Sequence, residues 1–142
     1  MSSDERLARV IADLQTAERI VADLNLRILN IERSIEEHEN AVRFIQEIKK
    51  GSGPYNLLIP LGAGVFARVE LTSPDILHVN LGAQLFAQKS LEESEQILTR
   101  RSQSLQQARD NLSRRAAEYM SRVEELRRFI NAMLSQQQQA GR

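Results

Sequence analysis

Residues 61–67 read Leu-Gly-Ala-Gly-Val-Phe-Ala, and residues 81–87 repeat them closely as Leu-Gly-Ala-Gln-Leu-Phe-Ala. An apolar run precedes each copy, at residues 57–60 and at residues 76–79. Residues 65–71 then alternate, with an apolar side chain at every odd position, which is the period of a half-buried strand. Two strands joined by a Gly-Ala reversal form a β-hairpin, so the repeat predicts two consecutive hairpins.

The chain on either side of the repeat is predicted to be helical. Ser-Pro-Asp at residues 73–75 divides the two hairpins, because proline restricts φ and lacks an amide donor. The predicted organisation is an N-terminal coiled-coil helix at 1–50, an assembly segment of two β-hairpins at 51–89, and a C-terminal coiled-coil helix with a polar tail at 90–142.

The N-terminal helix has a long apolar seam. Ser2 and Glu5 have the spacing of a capping box at its start, while Gly51 and Pro54 predict its end. At 1.5 Å per residue such a helix is roughly 70 Å long. Two columns with seven-residue spacing form the seam, and all but one of their members are apolar: Leu7, Leu14, Val21, Ile28, Ile35 and Val42, then Val10, Ala17, Leu24, Ile31, His38 and Ile45.

The second helix is predicted to start at Ser90, which forms a capping box with Glu93. A companion column three residues along from its main column is poorer. From residue 112 onward a better seam is expected at Ala116, Val123 and Ile130, after a stutter at 108–116. The glutamine run at 136–139 is expected to fray. The main column is unbroken: Leu91, Leu98, Leu105, Leu112, Tyr119, Leu126 and Met133.

The two helices are predicted to pair with each other. Their lengths match, and antiparallel pairing sets Leu14 against Leu126 and Val21 against Tyr119. The expected fold class is α+β and mainly α: a long antiparallel coiled-coil hairpin with two β-hairpins at its base. Whether Arg101, which lies in the poorer column, faces solvent or pairs across the helices is left open.

The β segment is too small to be stable alone. About 35 residues with exposed strand edges fall below the size at which a core is self-sufficient. Hairpins from several subunits are therefore predicted to join in a shared sheet or barrel. The residues predicted to form this oligomer assembly surface are Leu57, Ile59, Leu61, Val65, Phe66, Val69, Leu71, Leu77, Val79, Leu81, Leu85 and Phe86.

Composition excludes several classes of protein. The 142 residues contain 19 basic and 19 acidic side chains and no cysteine, so a strongly basic nucleic-acid surface, disulfides and thiolate metal sites are not expected. The start of the chain lacks an apolar signal region, and no run approaches the ~20 apolar residues of a membrane span. The sequence predicts a soluble, intracellular protein that binds neither nucleic acid nor membranes.

No catalytic constellation is found. Gly62, Gly64 and Ala67 fit a relaxed dinucleotide-binding pattern, but a strand follows where that motif needs a helix. His38 and Glu39 begin a zincin-like pattern whose second histidine is absent, so His38 is interpreted as a polar residue of the seam rather than a metal ligand. We expect no enzyme, cofactor or metal site; a nucleotide-dependent thermal shift would contradict this.

The helix–two hairpins–helix order, with Pro-Leu-Gly-Ala-Gly at 60–64 and Leu-Gly-Ala at 81–83, resembles the alpha subunit of prefoldin. The resemblance covers nearly the whole chain, and Gln84 departs from it where glycine is common. It implies an ATP-independent cytoplasmic chaperone, a hexamer of two alpha-type and four beta-type subunits whose hairpins form a double β-barrel platform. The family's coiled-coil tips hold unfolded polypeptides and pass them to a group II chaperonin.

At the helix ends remote from the β segment the apolar stripe is wider than a two-stranded seam needs. Either these residues add packing within the helix pair, or they form a hydrophobic surface for unfolded clients. The alternative function is a structural coiled-coil adaptor that joins specific folded partners. The candidate client-binding residues are Leu7, Val10, Ile11, Leu14, Leu126, Phe129, Ile130, Met133 and Leu134.

Overall fold

The computed structural model describes residues 2–51, 53–72 and 75–142. The described elements are, in chain order, α1 (Ser3–Lys50), β1 (Tyr55–Gly62), β2 (Val65–Leu71), β3 (Ile76–Gly82), β4 (Leu85–Ser90) and α2 (Leu91–Ala140). The predicted fold class, two long helices with two β-hairpins between them, is confirmed. The predicted divider at 73–75 has its first two residues outside the described ranges. In those ranges no helix combines the length and apolarity needed to cross a membrane.

The ends of α1 follow the sequence signals. Ser2 Oγ accepts a hydrogen bond from the Glu5 amide, and Glu5 Oε2 accepts one from the Ser2 amide, both at 3.2 Å. This is the predicted capping box. Lys49 and Lys50 place positive charge in the last turn, where the helix dipole favours it, and the helix ends before Gly51.

The seam of α1 is formed as predicted. All twelve residues of its two columns are buried or half-buried, with Leu24 at 3% exposure and Ile45 at 2%. His38, the polar member, is half-buried, and its Nδ1 donates to the Ser34 carbonyl oxygen at 2.6 Å. The polar insert is therefore satisfied within its own helix.

The start of α2 carries the predicted serine cap, whereas its end differs from the prediction. Ser90 is the last residue of β4 and caps the helix, its Oγ accepting from the Glu93 amide at 3.1 Å, so α2 begins at Leu91. The glutamine run, expected to fray, stays helical to Ala140. The prediction of fraying rested on polarity alone, whereas glutamine and alanine both have favourable helix propensities.

The second column of α2 is confirmed in its C-terminal part, where the predicted better seam of Ala116, Val123 and Ile130 is buried or half-buried. Arg115, Arg122 and Phe129 of the poorer column are exposed. The prediction is wrong before residue 112, because the same seam continues back through Arg109 to Ser102. Burial thus follows a regular heptad from Leu98 to Met133. The stutter, two successive four-residue steps, lies at Ser94, Leu98 and Ser102 rather than at residues 108–116. The sequence did not reveal it there, because the two serines are buried although their polarity is typical of surface residues.

The two hairpins share one design. Strands β1 and β2 pair antiparallel from Tyr55↔Leu71 to Gly62↔Val65, and β3 and β4 pair from Ile76↔Ser90 to Gly82↔Leu85. Each first strand has one extra residue, a bulge, just before its glycine.

The turns are two residues long, and both turn residues have positive φ: 51° and 76° at Ala63 and Gly64, 49° and 61° at Ala83 and Gln84. This is the type I′ geometry that suits the twist of paired strands. The predicted reversals are confirmed, and Gln84 adopts the conformation that glycine adopts in the first copy.

The chain contains two compact units. The terminal unit comprises Met1–Arg33 and Leu105–Arg142, and the hairpin unit comprises Ser34–Ser104. In the terminal unit the helices run antiparallel, since Gln137 Nε2 lies 3.5 Å from Asp4 Oδ1 and Arg127 Nη2 lies 2.8 Å from Glu18 Oε1. The core cluster contains one member of each of two predicted pairs, Leu126 and Val21, and their predicted partners, Leu14 and Tyr119, pack against it. The cluster consists of Ala17, Val21, Val123 and Leu126, with Val10 also packed against it.

Candidate functional site

The first candidate site is the apolar surface of the hairpins. In the half of hairpin 1 (β1 and β2) remote from its turn, the strands are two-sided: Val69 and Leu71 are half-buried, whereas Arg68 and Glu70 face solvent. This is the alternation predicted from the sequence. One face of this half therefore lies against the protein.

Both hairpins also carry exposed apolar side chains, most of them near the turns. The set called here the hairpin surface is 44–68% exposed and consists of Leu58, Ile59, Leu61, Val65 and Phe66 on hairpin 1, and Ile76, Leu81, Leu85 and Phe86 on hairpin 2 (β3 and β4). Isolated exposed apolar residues are ordinary, but a contiguous set on short strands marks a protein-binding surface.

Most of the residues predicted for assembly lie at or beside this surface. Seven are in the hairpin surface, and Leu57, Val69, Leu71 and Leu77 are half-buried beside it. Val79, by contrast, is only 8% exposed, so it is buried within its own chain. The prediction omitted Leu58 and Ile76, although the apolar runs that precede each copy contained the signal.

The strands also leave backbone groups unpaired. The described strands form two separate two-stranded sheets, β1–β2 and β3–β4. Each strand therefore has one open edge whose amides and carbonyls can pair with another chain. Open edges beside exposed apolar side chains give this surface the chemistry of strand addition.

The second candidate site lies in the terminal unit. Ile11, Phe129 and Leu134, called here the terminal surface, are 38%, 48% and 42% exposed. Among the other predicted client-binding residues, Leu126 is buried in the core, and the rest are half-buried: Leu7, Val10, Leu14, Ile130 and Met133. Most residues of the wide stripe thus add packing, and three remain exposed. Client binding by these three stays a prediction.

A groove of about 330 Å³ opens beside Phe129. Val10, Leu126 and Phe129 supply apolar lining, and Asp13, Arg122 and Glu125 also line it. Arg122 Nη1 lies 3.6 Å from Glu125 Oε2, so these two charges offset each other. The groove has room for an apolar side chain but no constellation for chemistry.

Sequence reasoning missed other exposed apolar side chains. In the terminal unit Leu26, Leu29 and Met120 are 59%, 44% and 47% exposed, and in the hairpin unit Phe44 is 40% exposed. None lies in the columns examined for the seam. Because these side chains are exposed to a similar extent, those in the terminal unit can serve as controls when client binding by the terminal surface is tested.

A polar network joins the helices within the hairpin unit. Lys49 Nζ donates to Glu95 Oε2 at 2.7 Å, and Gln46 Nε2 donates to Glu95 Oε1 at 3.1 Å. Both hydrogen bonds lower the pKa of the Glu95 carboxyl below its ordinary value of 4.5, and the one from Lys49 has the larger effect. A groove of about 630 Å³ beside this network has a largely polar lining.

Metal and nucleotide chemistry find no support in the described residues. No group of three or more His, Asp or Glu side chains there could hold a metal ion. The Gly62–Ala67 segment, which fits the dinucleotide pattern in sequence, forms a hairpin turn followed by β2, with no helix N-terminus to meet a phosphate.

Comparison with known proteins identifies the fold and the family. The family model described as "Prefoldin subunit" matches residues 17–140, most of the chain. The chain belongs to the prefoldin family. The sequence-based assignment to the alpha type is confirmed by curated relatives, each named "Prefoldin subunit alpha".

Among these prefoldin relatives, the one from Methanosarcina acetivorans is 30% identical over 71% of this chain and 73% of its own. That from Thermofilum pendens is 26% identical over 90% and 97%, respectively. A chain of the cryo-EM structure of filamentous PFD from Methanocaldococcus jannaschii has a TM-score of 0.67 at 18% identity, covering 80% of this chain and 93% of that one. That similarity concerns the fold, and it agrees with the two-helix, two-hairpin order.

Proposed function

We propose that this chain is a chaperone subunit that assembles through its hairpins and holds unfolded polypeptides at its terminal surface. The chain is a prefoldin subunit of the alpha type, and assembly with other subunits is a property of that family. The observation that carries the proposal is the exposure of apolar side chains at both places in one chain, 44–68% on the hairpins and 38–48% at the helix ends.

The hairpin surface favours assembly rather than client capture. Its side chains stand on strands with open edges, which add hydrogen bonds of fixed register to the burial of apolar area. We propose a hexamer of two copies of this chain and four beta-type subunits, with the hairpins of all six in a β-barrel platform.

The terminal surface favours weak, adaptable binding. Ile11, Phe129 and Leu134 present isolated apolar area, and of the three only Phe129 lines the groove of about 330 Å³. Burial of a client's apolar groups drives such contacts without ATP, and several arms acting on one client add by avidity. We further propose transfer of the client to a group II chaperonin, in the cytoplasm, with no catalytic step and no cofactor.

The assembly proposal is tested by isolating the native complex and measuring its mass and subunit composition. Two copies of this chain with four of a one-hairpin partner would support the hexamer. Phe66→Ser with Phe86→Ser should reduce the mass to smaller species, because both rings lie in the hairpin surface. A homodimer, or a complex with one folded protein, would favour the adaptor alternative.

Client binding is tested with two matched triple variants in the terminal unit. One replaces Ile11, Phe129 and Leu134 with glutamine, and the control replaces the similarly exposed Leu26, Leu29 and Met120. Suppression of aggregation of a chemically denatured client should fall for the first set and persist for the second. Equal loss in both sets, or none in either, would contradict the assignment to the terminal surface.

A further inference from the structure

The two hairpins are similar in sequence, but they differ in how far the rest of the chain covers them. Residues 59 and 79 are equivalent positions of the repeat, yet Ile59 is 44% exposed and Val79 is 8% exposed. Val79 is the one buried residue among the described strand residues. Hairpin 2 is therefore covered by its own subunit at a point where hairpin 1 is open.

A specific polar contact accompanies this burial. Arg101 Nη2, on α2, donates to the Asn80 carbonyl oxygen at 2.7 Å, next to Val79. Asn80 precedes the bulge of β3, and its Oδ1 accepts from the Gly82 amide at 2.9 Å. The contact thus reaches the backbone of hairpin 2 near its turn, well away from its connection to α2.

Among the residues that the structure describes, hairpin 1 has no equivalent contact. Its position 60, equivalent to Asn80, is Pro60, and within the described ranges no side chain donates to the Pro60 carbonyl. The hydrogen bond that joins hairpin 1 to a helix is at its first residue, where Tyr55 OH donates to the Ile48 carbonyl oxygen at 3.0 Å. A β-strand rises about 3.3 Å per residue, so the turn of hairpin 1 lies far from that anchor.

We propose that Arg101 is a positioning residue that orders hairpin 2 on its own helix before assembly, whereas hairpin 1 adjusts to the partner subunits. This rests on the proposed assembly through the hairpins. A guanidinium–carbonyl hydrogen bond is charge-assisted and directional, so one side chain can orient the hairpin. An element ordered in advance loses less conformational freedom on binding, which speeds association.

Hydrogen exchange of the full-length chain tests the positioning role without partners. Arg101→Ala should raise the exchange rate of hairpin 2 amides at residues 76–90 about tenfold, with hairpin 1 amides at 55–71 unchanged. Arg101→Lys, which keeps a cationic donor, should restore part of the protection. Arg100→Ala is the matched control, since Arg100 is the adjacent, exposed arginine and lines the polar groove.

Assembly kinetics test the consequence. The rate at which the full-length chain associates with the partner subunit purified from the native complex, followed by light scattering, should fall roughly threefold for Arg101→Ala and stay unchanged for Arg100→Ala. The helical circular dichroism signal should be the same in all variants, which separates a positioning role from general unfolding.

Two results would overturn the inference. If both hairpins exchange faster in Arg101→Ala, or neither does, Arg101 does not position hairpin 2. If hairpin 2 alone exchanges faster but the rate of assembly is unchanged, Arg101 orders hairpin 2 without speeding assembly, and its proposed role in assembly is wrong. Failure of the wild-type chain to assemble would instead contradict the proposed function, and the exchange comparison would still report on Arg101.

Discussion

Lys49 Nζ lies 2.7 Å from Glu95 Oε2, an ion pair between residues 46 positions apart in the chain. Gln46 completes the carboxylate's shell from the same helix face. Both charged side chains are about a quarter to a third exposed, 33% for lysine and 23% for glutamate. A pair of this kind fixes the register of α1 against α2 within the hairpin unit, next to the hairpins that the unit carries.

Removing this pair should change how stability depends on pH. The folded-state pKa of Glu95 lies below 4.5, so around and below this pH the carboxyl binds a proton more readily in the unfolded chain than in the folded one. The stabilisation is present above about pH 4.5 and is lost as pH falls through the folded-state pKa. Wild type should therefore melt above Glu95→Gln at pH 7, and the difference should shrink below pH 4.5.

Glu92→Gln is the control for that measurement, because Glu92 is exposed on the same helix with no ion pair in the described residues. Its melting temperature should follow the wild-type curve across the pH range. A constant difference between wild type and Glu95→Gln at all pH values would show that the carboxylate's charge is not the cause.

Ser94→Ala should stabilise the chain. Ser94 is fully buried, and its Oγ has no hydrogen-bond partner among the described atoms. Burying an unpaired hydroxyl is costly, so its removal should raise the free energy of unfolding by about 1 kcal/mol. Denaturant unfolding at a fixed protein concentration measures this, with exposed Ser104→Ala correcting for helix propensity. An equal gain in both variants would mean that the buried hydroxyl is tolerated without cost.

Val123→Ala should destabilise the terminal unit strongly. Val123 is 2% exposed in the core cluster, and truncation there leaves a cavity. We expect a loss of about 2 kcal/mol in the free energy of unfolding. Met120→Ala, three residues away and 47% exposed, should cost less than about 0.5 kcal/mol. Similar losses in both variants would contradict the assignment of Val123 to the seam of α2.

Gln84→Gly should stabilise hairpin 2. Gln84 has φ 61°, a left-handed conformation that costs a side-chain-bearing residue roughly 1 kcal/mol and glycine almost nothing. Hydrogen exchange of the hairpin 2 amides should slow accordingly. The same substitution in β4, Gln88→Gly, should speed exchange, because glycine weakens a strand interior. Slower exchange in both variants would rule out the turn as the cause.

Much of this fold is local in origin, which is why it can be predicted from the residues. Ser2 and Glu5 cap the start of α1, and the helix ends at Lys50, directly before the predicted stop at Gly51. Such signals act over a few positions. The repeated Gly-Ala turns specify hairpins in the same way. The errors came where packing overrides local chemistry: Ser102 and Arg109 occupy seam positions although their polarity suggested surface.

The amino-acid sequence by itself determined two long helices, two duplicated hairpins and the family, because period, caps and turn conformations are encoded in short segments. It also marked the apolar residues from which the candidate surfaces are built. Only the tertiary structure decided which of them remain exposed. Ile59 and Val79 are equivalent in the repeat, but Val79 is buried and Ile59 is open. Burial depends on what the fold brings alongside, and for hairpin 2 that includes Arg101, 21 residues beyond Asn80 in the chain.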